Sequence, residues 1–112
     1  MKSNFYLQDE IGEEVVEVGK IKRKTMAHDG KMMMVDVYFQ DGAIGAEHVH
    51  EHEQSTMCLE GEFEFTVGNE KKIIKPGDTV YMPPMVNHGA VLITPKGRLL
   101  DVFTPQREDF LL

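Results

Sequence analysis

Three histidines near the middle of the chain have the spacing and chemistry of metal ligands. His48, His50 and His52 are spaced by two residues, and side chains with this spacing lie on one face of an extended strand. Imidazoles on one face can coordinate a divalent transition metal. A solvated acidic strand with incidental histidines has the same spacing, so the spacing alone does not separate these interpretations.

The elements that position these residues are predicted to be short β-strands. Apolar or alternating runs are cut at close intervals by turn-forming pairs such as Asp41-Gly42 and Gly68-Asn69. This pattern predicts an all-β, antiparallel sandwich or barrel, with a two-residue hairpin at Gly68-Asn69. A short helical turn is possible over Thr104–Leu112. The predicted strands are Val15–Val18, Lys20–Ala27, Met32–Gln40, Ala46–His52, Ser55–Leu59, Glu62–Val67, Lys71–Ile74, Thr79–Met82, Gly89–Thr94 and Arg98–Phe103.

Alternation in the last strand brings a carboxylate to the inner face. Leu99, Asp101 and Phe103 share one face, so Asp101 points inward if its apolar neighbours do. An inward carboxylate is costly unless it is paired or functional. Asp101 is therefore either a general acid or base, or a structural carboxylate bonded to backbone or paired with Arg107.

Length and charge exclude several classes of protein. The 112 residues predict one domain over 1–112, with a core barrel at about 32–103. The net charge of −7 argues against nucleic-acid and anionic-membrane partners, and no apolar run approaches the roughly 20 residues of a membrane span. Cys58 is the one cysteine, so no internal disulfide forms and a cytoplasmic location is expected.

Two spaced motifs resemble those of the cupin superfamily. The first family motif is Gly, five residues, His-x-His, three or four residues, Glu, six residues and Gly; the second is Gly, five residues, Pro-x-Gly, two residues, His, three residues and Asn. This chain departs from them at three positions, where Gln54, Met85 and Leu92 replace Glu, Gly and Asn. The matching residues are Gly42, His48, His50, Gly61, Gly77, Pro83 and His88.

The resemblance implies a small jelly-roll-like β-barrel with one divalent transition metal per chain (Mn, Ni, Fe or Zn), commonly as a homodimer. By position, the implied ligands are His48, His50, Gln54 and His88. The match does not require His52, which is expected to contact one of the metal-ligating residues or the substrate. Because Gln54 is neutral, four neutral ligands leave the metal with its full charge, and such a site favours an anionic molecule.

A narrower resemblance links the chain to the KdgF family of pectin-degradation cupins. It rests on the run His48–Gln54 and on the tail Leu100–Phe110. That family converts 4,5-unsaturated monouronates from pectin or alginate to a linear keto form. Its functional tail residues fall on Asp101, Phe103 and Arg107.

Three functions follow as expectations. The first is a metal-dependent enzyme that opens small unsaturated uronates, in which Arg107 grips the substrate carboxylate with two hydrogen bonds. A surface arginine paired with Glu108 or Asp109 is the alternative interpretation of Arg107. The second function is a small Fe- or Mn-dependent dioxygenase. The neutral Gln54 slightly disfavours it, because such oxygenases more commonly have a carboxylate among their metal ligands. The third is a non-catalytic module that binds a sugar acid or a metal.

Overall fold

Ten β-strands and two short 3-10 helices make up the structure, a computed structural model that describes residues 3–112. The first two residues of the predicted domain lie outside the described range. The strands are β1 (Glu14–Glu17), β2 (Ile21–Asp29), β3 (Met32–Gln40), β4 (Ile44–His48), β5 (Glu53–Glu60), β6 (Phe63–Val67), β7 (Glu70–Ile74), β8 (Thr79–Met82), β9 (His88–Leu92) and β10 (Lys96–Thr104), and the 3-10 helices are Gln8–Glu10 and Glu108–Leu111.

The strands form two antiparallel sheets, which confirms the predicted fold class. One sheet has the order β1-β2-β3-β10-β5-β8 and the other the order β4-β9-β6-β7. Both sheets contribute to one apolar core, as expected for the jelly-roll form of the barrel. Within residues 3–112, no helix combines the length and apolarity that crossing a bilayer requires.

All ten predicted strands are present, and nine of them have both ends within two residues of the prediction. The hairpin between β6 and β7 turns at Gly68-Asn69, because Val67 pairs with Glu70. Two helical details differ from expectation. The C-terminal helix begins at Glu108, since β10 continues through Thr104, and a second short helix at Gln8–Glu10 was not predicted.

The core lies between the sheets and extends to one end of the sandwich. The Phe39 and Phe63 rings meet edge to face, with centroids 5.0 Å apart. Cys58 is fully buried among them, and burial raises the pKa of its thiol, so it packs as a small apolar residue. A second apolar cluster, formed by Met33, Val35 and Phe103, supports the end of the sandwich where the candidate site lies.

Gly61, which closes the first motif, is required by the turn between β5 and β6. Its φ is +75°, and a Cβ atom there would lie 2.3 Å from the backbone oxygen of Lys96. Only glycine meets both conditions. This close contact fixes the β5–β6 turn against the start of β10, the strand that carries Asp101 and Phe103.

Candidate metal centre and adjoining cavity

Three histidines from two segments of the chain converge at one end of the sandwich. His48 ends β4 and lies opposite His88, the first residue of β9. His50 follows two residues later, and the potential ligand atoms of the three lie within 4.8 Å of one another.

The expectation that β4 runs from Ala46 to His52 on one face was wrong. β4 ends at His48, because beyond this residue the backbone leaves β9 and the oxygen of His50 accepts a hydrogen bond from the Met85 amide at 2.8 Å. The loop, not a shared strand face, brings His50 to His48.

Backbone carbonyl groups orient two of the three rings. His48 Nδ1 lies 2.8 Å from the Ala46 oxygen, and His88 Nδ1 lies 3.2 Å from the Val86 oxygen. A carbonyl oxygen only accepts, so both Nδ1 atoms carry the proton and donate it. The Nε2 atoms therefore keep their lone pairs, which is the arrangement found in metal-binding histidines.

Burial keeps two of the imidazoles neutral at neutral pH. Burial lowers the pKa of His88 to about 4, although the hydrogen bond to the Val86 carbonyl opposes the shift. Burial also lowers the pKa of His50. Since a metal binds the neutral imidazole, neither ring has to lose the second proton of an imidazolium before coordination. At His50 the one remaining proton lies on Nε2, which donates it to Gln54 Oε1, and it must move to Nδ1 for Nε2 to coordinate.

A chain of hydrogen bonds leads from the histidines to Asp101. His50 Nε2 lies 3.0 Å from Gln54 Oε1, and the other end of that amide, Nε2, donates to Thr56 Oγ1 at 3.0 Å. Thr56 Oγ1 in turn donates to Asp101 Oδ1 at 2.6 Å. β5 and β10 pair so that Thr56 lies directly opposite Asp101.

Asp101 lies on the inner face of β10, as alternation predicted. Burial raises the pKa of its carboxyl group to about 6, while the hydrogen bond from Thr56 opposes the rise. The carboxyl group therefore changes protonation close to neutral pH, as a general acid or base must.

Arg107 pairs with Asp109 and also borders the cavity. Its guanidinium group donates two hydrogen bonds to Asp109, from Nε at 3.0 Å and Nη2 at 2.9 Å. The same group faces the cavity beside the histidines, with Cζ 5.4 Å from the Phe103 ring centre and 4.4 Å from that of Phe110. Asp109 is largely exposed, so it can leave the guanidinium when another carboxylate arrives.

A second guanidinium, Arg23 on β2, borders the same cavity and was not predicted. Its Cζ lies 3.7 Å from the centre of the Phe110 ring, on which Arg107 also stacks. Glu14 Oε2 accepts hydrogen bonds from its Nε and Nη2 at 3.2 and 3.0 Å. The cavity thus has two cationic groups above its apolar wall, a composition suited to an anionic molecule.

Phe103 is buried beside the histidines. Its ring centroid lies 5.9 Å from that of His50 and 6.4 Å from that of His52. His52 lies outside the group of three possible ligands, although its ring centroid is 5.5 Å from that of His50. The structure thus places His52 next to the cluster, where the sequence predicted a supporting contact.

One cavity of about 170 Å³ joins most of these residues. Six of the seven predicted site residues line it, and the seventh, His50, contacts His88 and Phe103 at its edge. Apolar side chains such as Val35, Val37 and Phe39 form the remaining wall. The six lining residues are His48, Gln54, His88, Asp101, Phe103 and Arg107.

Thr56 and Arg23 are the site residues that sequence reasoning missed. Thr56 shares the parity of Gln54 on β5, so alternation alone could have placed it on the inner face. Arg23 gave no such signal, since it stands in the polar run Lys22-Arg23-Lys24 and reaches the cavity only through the pairing of β2 with β3.

The residues present fit a divalent metal ion. His88 Nε2 is buried and has no hydrogen-bond partner among residues 3–112, which is unfavourable unless another group binds it. Three imidazoles and the adjacent Gln54 oxygen form the kind of nitrogen and oxygen donor set that transition metals prefer.

Comparisons with known proteins agree with the two motifs. The sequence profile of the Cupin domain family matches residues 35–103. The pectin degradation protein KdgF of Dickeya dadantii (strain 3937) is 38% identical over 108 residues, which cover 96% of this chain and 97% of that protein.

Two solved structures match almost the entire chain. The structure of KdgF from Halomonas sp. has a TM-score of 0.90 at 37% identity and covers 97% of this chain and 99% of its own. An RmlC-like cupin from Shewanella frigidimarina NCIMB 400 has a TM-score of 0.91 at 37% identity, covering 97% of this chain and 96% of its own.

Proposed function

The chain belongs to the cupin family, and from this premise we propose that it is a metal-dependent enzyme of pectin breakdown that converts small 4,5-unsaturated uronates to their linear keto form. The name of the Dickeya dadantii relative, a pectin degradation protein, and its 38% sequence identity to this chain support a role in pectin breakdown. The geometry of the cavity supports the reaction.

One observation carries the proposal. The Asp101 carboxyl group, with a pKa of about 6, is connected through Thr56 and Gln54 to the histidine cluster and lines the same cavity as the Arg107 guanidinium. A proton-transfer group, a metal-binding group and a carboxylate-binding group are therefore available to one small anionic substrate.

The proposed ligands are His48, His50, Gln54 and His88. A divalent ion held by them would supply Lewis-acid stabilisation of negative charge that develops on a substrate oxygen. Four neutral ligands preserve the full positive charge of the ion, and this favours a uronate over a neutral sugar.

Arg107 and Phe103 bind and orient the substrate in this proposal. Arg107 exchanges Asp109 for the uronate carboxylate, since both are carboxylates and both accept the same pair of hydrogen bonds. Phe103 presents an apolar wall to the sugar ring and keeps water from the reacting atoms.

Asp101 moves the proton. Ring opening removes the proton of the anomeric hydroxyl group and breaks the bond between the anomeric carbon and the ring oxygen, which leaves an aldehyde at the anomeric carbon and an enolate at the former ring oxygen. The enolate becomes a ketone when carbon 4 gains a proton, so one proton is removed and one is returned, and the reaction is an isomerisation with no net change in atoms. An ionised Asp101 accepts the first proton and, once protonated, donates to carbon 4.

The test is the turnover of 4,5-unsaturated galacturonate by protein loaded in turn with Mn²⁺, Ni²⁺, Fe²⁺ or Zn²⁺. The loss of absorbance of the conjugated double bond is followed and corrected for spontaneous opening. We expect metal-dependent acceleration, and a loss of about 10²- to 10⁴-fold in Asp101→Asn, with metal binding retained.

Asp41→Asn is the matched control. Asp41 is exposed in the turn after β3 at a φ of 52°, a conformation that asparagine adopts readily, so this variant should keep the full rate. Absence of acceleration with every metal, or an unchanged rate in Asp101→Asn, contradicts the proposal. Oxygen uptake without loss of the double bond would favour the dioxygenase alternative instead.

A further inference from the structure

We propose that Thr56 is a positioning residue that fixes which end of the Gln54 amide faces the metal-binding histidines and simultaneously holds the Asp101 carboxyl group. Its effect on turnover rests on the proposed function, whereas its effect on metal binding does not. Neither composition nor motif spacing marks Thr56 as a site residue; its place in the hydrogen-bond chain does.

Thr56 is enclosed by its two partners. It is 1% exposed and Gln54 is 6% exposed, so water does not readily replace either hydrogen bond. Its hydroxyl oxygen lies 3.0 Å from Gln54 Nε2 and 2.6 Å from Asp101 Oδ1.

The single hydroxyl proton makes this chain directional. An amide nitrogen only donates, so Gln54 Nε2 donates to the Thr56 oxygen. The Thr56 proton is then free to bond Asp101, whose ionised carboxylate only accepts. The remaining end of the amide, Oε1, consequently points at the histidine cluster, 3.0 Å from His50 Nε2.

The opposite amide orientation is disfavoured by the same hydroxyl. A flipped Gln54 would present its oxygen to Thr56, and one proton would then face two acceptors. One of the two short contacts would bring oxygen lone pairs together without a hydrogen. The flipped amide would also present an NH₂ group, which cannot coordinate a metal, to the histidines. Thr56 thus selects the coordinating end of Gln54.

The test compares Thr56→Val, which keeps the shape of the side chain without the hydroxyl, with Thr56→Ser, which keeps the hydroxyl. The affinity of metal-free protein for Ni²⁺ is measured by calorimetric titration, without uronate. Loss of an outer partner of a metal ligand typically costs 10- to 100-fold in affinity. We expect this loss in Thr56→Val and near wild-type affinity in Thr56→Ser.

Thr25→Val is the matched control. The Thr25 hydroxyl is buried in β2 and has no hydrogen-bond partner among the described residues, so its removal should leave Ni²⁺ affinity unchanged. Wild-type affinity in Thr56→Val overturns the inference, as does an equal loss in Thr56→Ser.

Two further measurements keep the inference separate from its alternatives. If Thr56→Val does not fold, hydrogen exchange of the Gln54 side-chain NH₂ in the metal-free wild type decides: slow exchange supports the inference and fast exchange overturns it. In turnover, kcat should fall in Thr56→Val more than KM rises, because Arg107 is untouched. If the wild type does not turn over uronates, the proposed function fails while the Ni²⁺ result still decides the role of Thr56.

Discussion

At the scale of single residues, His88 makes the metal-free protein sensitive to acid. Burial lowers the pKa of its imidazole from the ordinary 6.5 to about 4. Between these values the unfolded chain binds a proton that the folded chain does not. The corresponding stability is present above pH 6.5 and is lost as pH falls through about 4, and it is on the order of 3 kcal/mol.

We therefore expect the free energy of unfolding of metal-free protein to fall less between pH 7 and about 4.5 in His88→Gln than in the wild type. Urea unfolding at the two pH values measures both differences, with chelator present throughout. Subtracting one difference from the other removes the contribution of carboxylates that titrate in the same range. Equal losses in the two proteins would contradict the burial of a neutral His88.

Arg107 and Asp109 should have opposite effects on substrate binding. Arg107→Lys keeps the charge but loses the planar pair of donors, so we expect KM for the uronate to rise about tenfold or more with a smaller change in kcat. Asp109→Asn removes the carboxylate that occupies the guanidinium, so KM should fall. Steady-state kinetics of the two variants measure both directions, and changes of the same sign would exclude the proposed exchange.

At the scale of elements, the turn between β5 and β6 locks the position of β10. We expect Gly61→Ala to lower the free energy of unfolding by about 3 kcal/mol or more, because the left-handed backbone and the contact with the Lys96 oxygen both oppose a side chain. Gly19→Ala is the matched control, since Gly19 has the same φ of +75° with no atom within 4 Å of an added Cβ.

Backbone strain alone should make Gly19→Ala cost about 1–2 kcal/mol. Denaturant unfolding of both variants separates the two contributions. An equal loss of unfolding free energy in Gly61→Ala and Gly19→Ala would show that the close contact with β10 does not contribute to stability.

The strands were predictable to the extent that one local pattern determines them. Alternation placed Asp101 and Phe103 on the inner face of β10 because every second residue of a strand faces the same sheet surface. It failed at His50, because the end of β4 depends on where its partner β9 stops pairing. The alternation of residues within β4 does not show where that partner strand ends. Arg23 was missed for the same reason, as its place at the cavity depends on strand order.

At the scale of the whole molecule, the histidine cluster joins β4 to β9 and, through Gln54, one sheet to the other. A metal bound there stabilises the folded state by mass action, about 2.7 kcal/mol at a free concentration of 100 times Kd. We expect Ni²⁺ to raise Tm over chelator-treated protein by roughly 10 °C. Thermal unfolding of wild type and His50→Gln measures this shift, and an equal rise in His50→Gln would place the metal elsewhere.

The most direct test of the central claim is the ¹H NMR spectrum of the product that metal-loaded protein forms from 4,5-unsaturated galacturonate in D₂O, recorded early. If Asp101 delivers the proton within the cavity, carbon 4 of the linear keto product carries one deuterium in a single configuration. Equal deuterium in both configurations would mean that a free enol leaves the cavity and becomes a ketone in solution. Product formation no faster than in the protein-free control would contradict the account as a whole.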